Sequence, residues 1–272
     1  GDVFQGRNFG WNVQLTAASM ENRVDDLGGL PPVVLGTIWQ FREGYPLGAV
    51  FHRQVVSAEY NASKQVINEM CVASQENLDQ VVPCSQAEPI YWGRGATPTY
   101  EVGLENSLTL FDNLRLSARL DARGGNLMEV MDIAANHTTF FNTWKANSQD
   151  DPIYDAYRKI GRQPLALFEG DFVKLRNVTA TYILPSSLLD RLSVARASVS
   201  LAAYNLATFG YQQWNSNVPG IVGGEIRPAN GANGSDRLWD PEISAASSVA
   251  TGTFLSTVPS TRRVELQMNF SF

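Results

Sequence analysis

From Arg263 to Phe272 the chain alternates strictly between polar and apolar residues. Val264, Leu266, Met268, Phe270 and Phe272 form one row, and Arg263, Glu265, Gln267, Asn269 and Ser271 form the other. A period of two places the rows on opposite faces of a β-strand. The same pattern recurs upstream. Phe9, Trp11, Val13, Leu15 and Ala17 alternate with Asn12, Gln14 and Thr16. After Tyr100, Val102, Leu104, Leu108 and Leu110 alternate with Glu101, Gly103, Glu105, Ser107 and Thr109. Leu114, Leu116, Ala118, Leu120 and Ala122 alternate with Arg115, Ser117, Arg119, Asp121 and Arg123. Only Phe111, Asp112 and Asn113 separate these last two segments, which predicts a tight hairpin. Residues 170–184 read as a strand whose face changes near Arg176 and Asn177, the mark of a bulge. Pro185 ends it, Ser186–Leu192 predicts a short helical connector, and 196–209 is again a strand. A shorter strand is expected within Tyr45–Val56, giving seven in all, and Pro31–Phe41 reads equally as a strand or a packed turn.

The connections carry a second pattern. Those at 111–113 and 185–195 are short, whereas 57–97, 125–169 and 210–261 are long. A transmembrane barrel segregates short turns to one side and long loops to the other. Its strands are also longer than the usual five or six residues of a globular sheet. In such a barrel the apolar face meets lipid and the polar face meets the lumen. Slipping the register by one residue would turn Arg115, Arg119 and Arg123 into hydrocarbon, at up to about 2–4 kcal/mol each. An ordinary soluble sheet with one core face would show the same alternation. Loop asymmetry, strand length and the closing aromatic favour the barrel.

Composition agrees. Charged residues make up 18% of the 272, and Gly (22) and Pro (13) supply turns. The net charge of −6 disfavours a nucleic-acid partner. No apolar run approaches the length of a membrane helix, which says nothing about strands. The opening residues lack the features of a secretion signal, so the expectation is a removed leader or a start partway through a longer product. Cys71 and Cys84 stand close together in a polar stretch. That arrangement suits a disulfide in an oxidising compartment, the alternative being two free thiols; no His or further Cys completes a metal set.

In this order, FGWNVQLTAASMENRVDDL, REGYPLGAVF, TPTYEVGLENSLTL, LDARGGNLM, EGDFVKLRNVTATYILP, AAYNLATF, WDPE and MNFSF resemble the C-terminal part of SusC/RagA-type TonB-dependent outer-membrane receptors. The resemblance runs over nearly the whole chain and implies that 1–272 is the C-terminal part of a barrel of about 22 strands. It implies uptake of oligosaccharide or peptide with a SusD-like lipoprotein. Energy would come from the TonB–ExbB–ExbD complex acting through a plug that this chain does not contain. Met268, Phe270 and Phe272 would then serve as the C-terminal signal for outer-membrane insertion. Seven or eight strands leave open edges, so the remaining strands would come from the same or another chain. The alternative is an independent surface β-protein, derived from a receptor's end, that assembles with other chains through those edges.

No catalytic motif is present in the sequence, and no enzyme activity is expected. His52 falls in a strand-like stretch and His137 in a long loop. Asp150–Asp151 and the group Asp236, Asp240 and Glu242 are carboxylates of the type that bind Ca²⁺, although such acids are more often solvated; no metal or other cofactor is assigned. For ligand binding, Tyr211, Trp214 and Trp239 stand among amides, a composition suited to stacking on a sugar or peptide. Arg115, Arg119, Asp121 and Arg123 are expected to face the lumen.

Overall fold

The alternating segments pair as their pattern dictates, into one antiparallel sheet. The computed structural model describes residues 1–130, 147–161, 163–192, 194–209, 253–254 and 260–271. Seventeen strands lie among them. In chain order they are β1 (Asp2–Gln5), β2 (Phe9–Ser19), β3 (Val33–Leu35), β4 (Trp39–Phe41), β5 (Ala49–His52), β6 (Val55–Tyr60), β7 (Val66–Val72), β8 (Val81–Pro83), β9 (Ile90–Gly95), β10 (Tyr100–Leu110), β11 (Leu114–Gly124), β12 (Leu127–Val130), β13 (Leu167–Glu169), β14 (Phe172–Ile183), β15 (Arg196–Phe209), β16 (Thr253–Phe254) and β17 (Arg263–Ser271). The helices are α1 (Pro152–Ile160) and α2 (Ser186–Leu192).

The large sheet has seven strands in the order β1-β2-β10-β11-β14-β15-β17. The fold is all-β, an antiparallel β-barrel segment that, among the described residues, does not close on itself: β1 and β17 are its edges. β10 and β11 pair without a slip from Tyr100↔Gly124 to Leu110↔Leu114. Their turn takes positive φ at Phe111 (53°) and Asp112 (60°), with Asn113 N–H donating to Leu110 O at 3.2 Å. That left-handed pair matches the strand twist of a hairpin, although neither residue is glycine. The expected bulge is present. Asn177 pairs with Arg119 and Leu175 with Leu120, so Arg176 is extra and the alternation flips across it.

One expected wall strand lies elsewhere. Tyr45–Val56 does not join this sheet. β5 belongs to a separate four-stranded sheet, β3-β4-β5-β9, and β6 to a three-stranded one, β6-β7-β8. Pro31–Phe41 forms the β3–β4 hairpin of the former, so it does not supply an eighth wall strand. The seventh wall strand is β1, whose four residues hold Val3 and Phe4 side by side and show no clear alternation.

Short connections gather at one end of the large sheet: the β1–β2 turn, the β10–β11 turn and α2. Phe111 N–H reaches Asn8 O at 2.9 Å, and Ile183 N–H reaches Asn113 O at 2.7 Å. At the other end, described residues of the 20–99 and 125–169 connections fold into a cap with its own core. Val55, Cys71, Cys84, Tyr154, Tyr157 and Leu165 pack in one cluster, and Ile38, Trp39, Val50, Leu127 and Leu167 in another. The expected Cys71–Cys84 disulfide is formed inside the first. α1 covers it. Asp151 caps the helix by accepting from Tyr154 N–H at 3.0 Å, Pro152 supplies the first turn, and Gly161 N–H closes the end on Tyr157 O at 2.9 Å.

The large sheet has no such core. Register places Trp11, Leu108, Leu116, Ala180, Leu201 and Leu266 in one row across its apolar face. Leu15 is 67% exposed, Leu201 51%, Leu266 63% and Phe270 55%.

Candidate functional site

The opposite face is polar from edge to edge. Arg115, Arg119, Asp121 and Arg123 all lie on it, two residues apart along β11. Pairing extends this into a ladder. Gln14, Glu105, Arg119, Asn177, Tyr204 and Arg263 form one continuous row across β2, β10, β11, β14, β15 and β17. Neighbouring strands stand about 4.8 Å apart, so Arg119 and Arg263, three strands distant, are separated by about 14 Å.

Asp121 is the centre of charge. Its Oδ1 accepts from Arg119 Nε at 3.1 Å and its Oδ2 from Arg176 Nε at 2.7 Å. The bulge produces this geometry, because the extra residue is the one that reaches the carboxylate. Arg123 stands 3.1 Å from Glu101, directly across from it, as a charge pair without hydrogen-bond alignment. Arg263 pairs with Glu265 at 3.0 Å and lies 4.8 Å from the Tyr204 ring centroid. Thr181 and Ser200 share a hydrogen bond of 2.9 Å. Glu105, although register-opposite Arg119, makes no ion pair among the described residues.

Two adjoining cavities open on this face. One, of about 460 Å³, is lined by Gln14, Thr16, Glu101, Glu105, Arg119 and Arg123, among others. The second, of about 510 Å³, is lined by Arg119, Asp121, Arg176, Asn177, Tyr204, Asn205, Thr261 and Arg263. Arg119, Asp121 and Arg176 belong to both. Such a surface suits a polar or charged ligand held by bidentate and charge-assisted hydrogen bonds.

Above the polar face, a clasp joins wall and cap. The Asp171 carboxylate accepts from Arg94 Nη1 at 2.9 Å, Tyr100 OH at 2.7 Å and Gly125 N–H at 3.1 Å. Gly124 is needed here, since a Cβ on it would sit 2.1 Å from Asp171 Oδ1. The stretches LDARGGNLM and EGDFVKLRN therefore meet at this point. Their meeting was not visible in either stretch alone.

Of the other expected site residues, Met268 and Phe270 lie exposed on the apolar face of β17, while Phe272 falls outside the described residues. Tyr211, Trp214, Trp239, His137, Asp236, Asp240 and Glu242 also fall outside them. Asp151 is the cap of α1, and Asp150 accepts from Ser148 Oγ at 2.6 Å. Among the described residues, no cluster of His, Cys, Asp and Glu is arranged for a metal. Arg176, Tyr204, Arg263 and Asp171 were not singled out as site residues from the sequence. The parity break at 176 was the available signal for the first.

No protein-family model matches the chain, and no curated protein matches it. Solved structures do. One described as "Structure of the RagAB peptide transporter" superposes with a TM-score of 0.61 at 20% identity, over 82% of this chain and 26% of that one. Two more, of the RagAB peptide importer in its 'closed-closed' and 'open-open' states, each give 0.58 at 19% identity, again over 82% of this chain and 26% of theirs. At that identity the likeness is one of fold, and this chain spans 26% of the length of the chains it matches.

Proposed function

We propose that this chain is part of the wall of an outer-membrane TonB-dependent receptor of SusC/RagA type that takes up peptide or oligosaccharide with a SusD-like surface lipoprotein. One observation carries the reading: the apolar face of the seven-stranded sheet is uncovered. An exposed apolar surface of that extent is unstable in water and marks contact with lipid or protein. Lipid fits its dimensions. An eleven-residue strand rises about 36 Å, or about 26 Å when tilted by about 45°. That matches an apolar band of about 25 Å.

Segregation of turns supports the orientation: the short-turn end faces the periplasm and the cap faces outward. The open backbone groups of β1 and β17 would each cost several kcal/mol in lipid. Further strands, from the same or another chain, therefore complete the wall, and a plug contributed with them would engage TonB–ExbB–ExbD. The proposed role is binding and passage rather than catalysis.

The test is the mass and solubility of the native polypeptide. Recovery from the outer-membrane fraction, in detergent only, as a polypeptide well above the 29.9 kDa of this chain supports the proposal. A product of that mass that stays monodisperse without detergent would favour the surface β-protein and overturn the receptor.

A further inference from the structure

Gly103 stands in the interior of β10, and none of the usual reasons for a strand glycine applies to it. Pairing runs through it without a slip, to Thr16 on one side and Asp121 on the other, so it marks no bulge. Its φ is outside the left-handed region. A Cβ placed on it would meet only Asp121 Oδ1, at 3.7 Å, an ordinary contact. Glycine weakens a strand interior, and with bulge and crowding absent it marks the close approach of a group from outside. The bare backbone at Gly103 is part of the lining of the cavity of about 460 Å³ on the polar face. That volume falls within the range of small-molecule sites, about 300–1,000 Å³.

Register sets the walls of this hollow. Along β10, Glu101 and Glu105 flank Gly103, and across from them on β11 stand Arg123 and Arg119. The first cross-strand pair is closed, with Arg123 3.1 Å from Glu101. The second is open. Arg119 gives its Nε to Asp121, and the Glu105 carboxylate makes no hydrogen bond or ion pair among the described residues. A free acceptor and a guanidinium that is 57% exposed therefore face each other at one end of the hollow. The lining carboxylates (Glu101, Glu105, Asp121) equal the lining guanidiniums (Arg119, Arg123, Arg176) in number, so selection falls to hydrogen bonds rather than to net charge. Both edges of β10 are paired, so an extended peptide cannot add to it as a strand. We propose that the hollow at Gly103 binds one ring of a neutral saccharide. The ring lies against the bare backbone, and its neighbouring hydroxyls donate to Glu105 and accept from Arg119. This names the saccharide class within the proposed uptake role, and it rests on that role only for the assignment of this face to the lumen.

The experiment is isothermal titration of the native polypeptide with the linear trisaccharides of glucose, mannose, galactose and xylose, against the peptide Gln-Gln-Gln. Saturable binding of at least one trisaccharide is expected, and none of the peptide. Gly103→Leu fills the hollow without displacing backbone, and binding falls by about tenfold or more. Glu105→Ala removes the free acceptor and weakens binding by about tenfold. Heat-modifiable gel migration shows that each variant folds. Binding of none of the four trisaccharides, or of the peptide alone, overturns the proposal. So does undiminished binding by folded Gly103→Leu; where that variant does not fold, undiminished binding by Glu105→Ala has the same force. A polypeptide that needs detergent yet gives any of these results leaves the receptor standing and this site refuted. Trisaccharide binding that depends on Gly103, in a polypeptide soluble without detergent, does the reverse.

Discussion

The indole N–H of Trp11 donates to Asn106 Oδ1 at 2.9 Å, on the apolar face of the large sheet. Asn106 occupies the position on β10 between Leu104 and Leu108, paired with Val13 and Ala118, and it breaks an otherwise apolar row. The bond satisfies the side-chain oxygen where hydrocarbon would offer it nothing. Trp11→Phe therefore costs about 1–3 kcal/mol in a bilayer, and adding Asn106→Leu restores most of the loss. Urea unfolding of the native polypeptide in lipid vesicles measures both. In a water-facing sheet neither change would matter, because solvent would replace the indole.

The clasp at Asp171 makes a different prediction. Asp171→Ala leaves Arg94, Tyr100 and the Gly125 N–H without their shared acceptor. A loss of about 2–4 kcal/mol is expected, concentrated where the cap meets the wall. Limited proteolysis should then cut residues 20–99 faster while β11 and β14 remain protected. Equal protection across variant and wild type would show that the clasp does not hold the cap.

Reduction of the cap disulfide acts separately from the wall. Cys71 and Cys84 are thirteen residues apart, and both are buried under α1. Replacing both by serine should destabilise the cap by about 3 kcal/mol. Hydrogen exchange should rise in β6, β7 and α1 and stay unchanged in β14 and β15.

His52 gives the cap a dependence on pH. Burial pushes its pKa from the ordinary 6.5 down to about 4, and the nearby Arg53 charge adds to this, against a hydrogen bond from Nδ1 to the Arg53 carbonyl. The ring is enclosed by Trp92, Tyr157 and Gly161. The folded state therefore favours neutral imidazole. Above about pH 7 its contribution is constant. As pH falls from 6.5 toward 4 the unfolded state takes up a proton that the folded state refuses, and about 3 kcal/mol is lost. Exchange protection in β5 and α1 should fall through that window, and His52→Gln should remove the His52 share of the dependence.

The wall was legible in the sequence because its determinants are local. Alternation defined β2, β10, β11, β15 and β17 to within a few residues, and a break in parity located the bulge at Arg176. β1 escaped notice, since four residues with adjacent Val3 and Phe4 carry too little period. Tyr45–Val56 was misplaced for a related reason. Ala49, Val50 and Phe51 are buried on both faces in the cap, and a continuous apolar run does not say which sheet it enters. The cap itself depends on contacts between residues far apart in the chain, such as Val55 N–H to Tyr157 OH at 3.0 Å and Trp39 Nε1 to Glu129 Oε2 at 3.2 Å. Nothing in the neighbourhood of either partner announces them. The polar ladder stands between these cases: each rung was readable as polar, but the row from Glu105 to Arg263 exists only once every register, bulge included, is set.

Contact between lipid and the apolar face is the claim on which the rest depends. Nitroxide labels at Leu201 and Ser200, adjacent on β15 and pointing to opposite faces, test it directly in the native polypeptide reconstituted in vesicles. Relaxation by lipid-soluble oxygen and by a water-soluble nickel chelate reports what each label touches. Lipid contact predicts strong oxygen and weak nickel relaxation at 201, with the reverse at 200. A label at 201 that the nickel chelate reaches freely, or that neither reagent reaches because protein encloses it, would contradict the assignment.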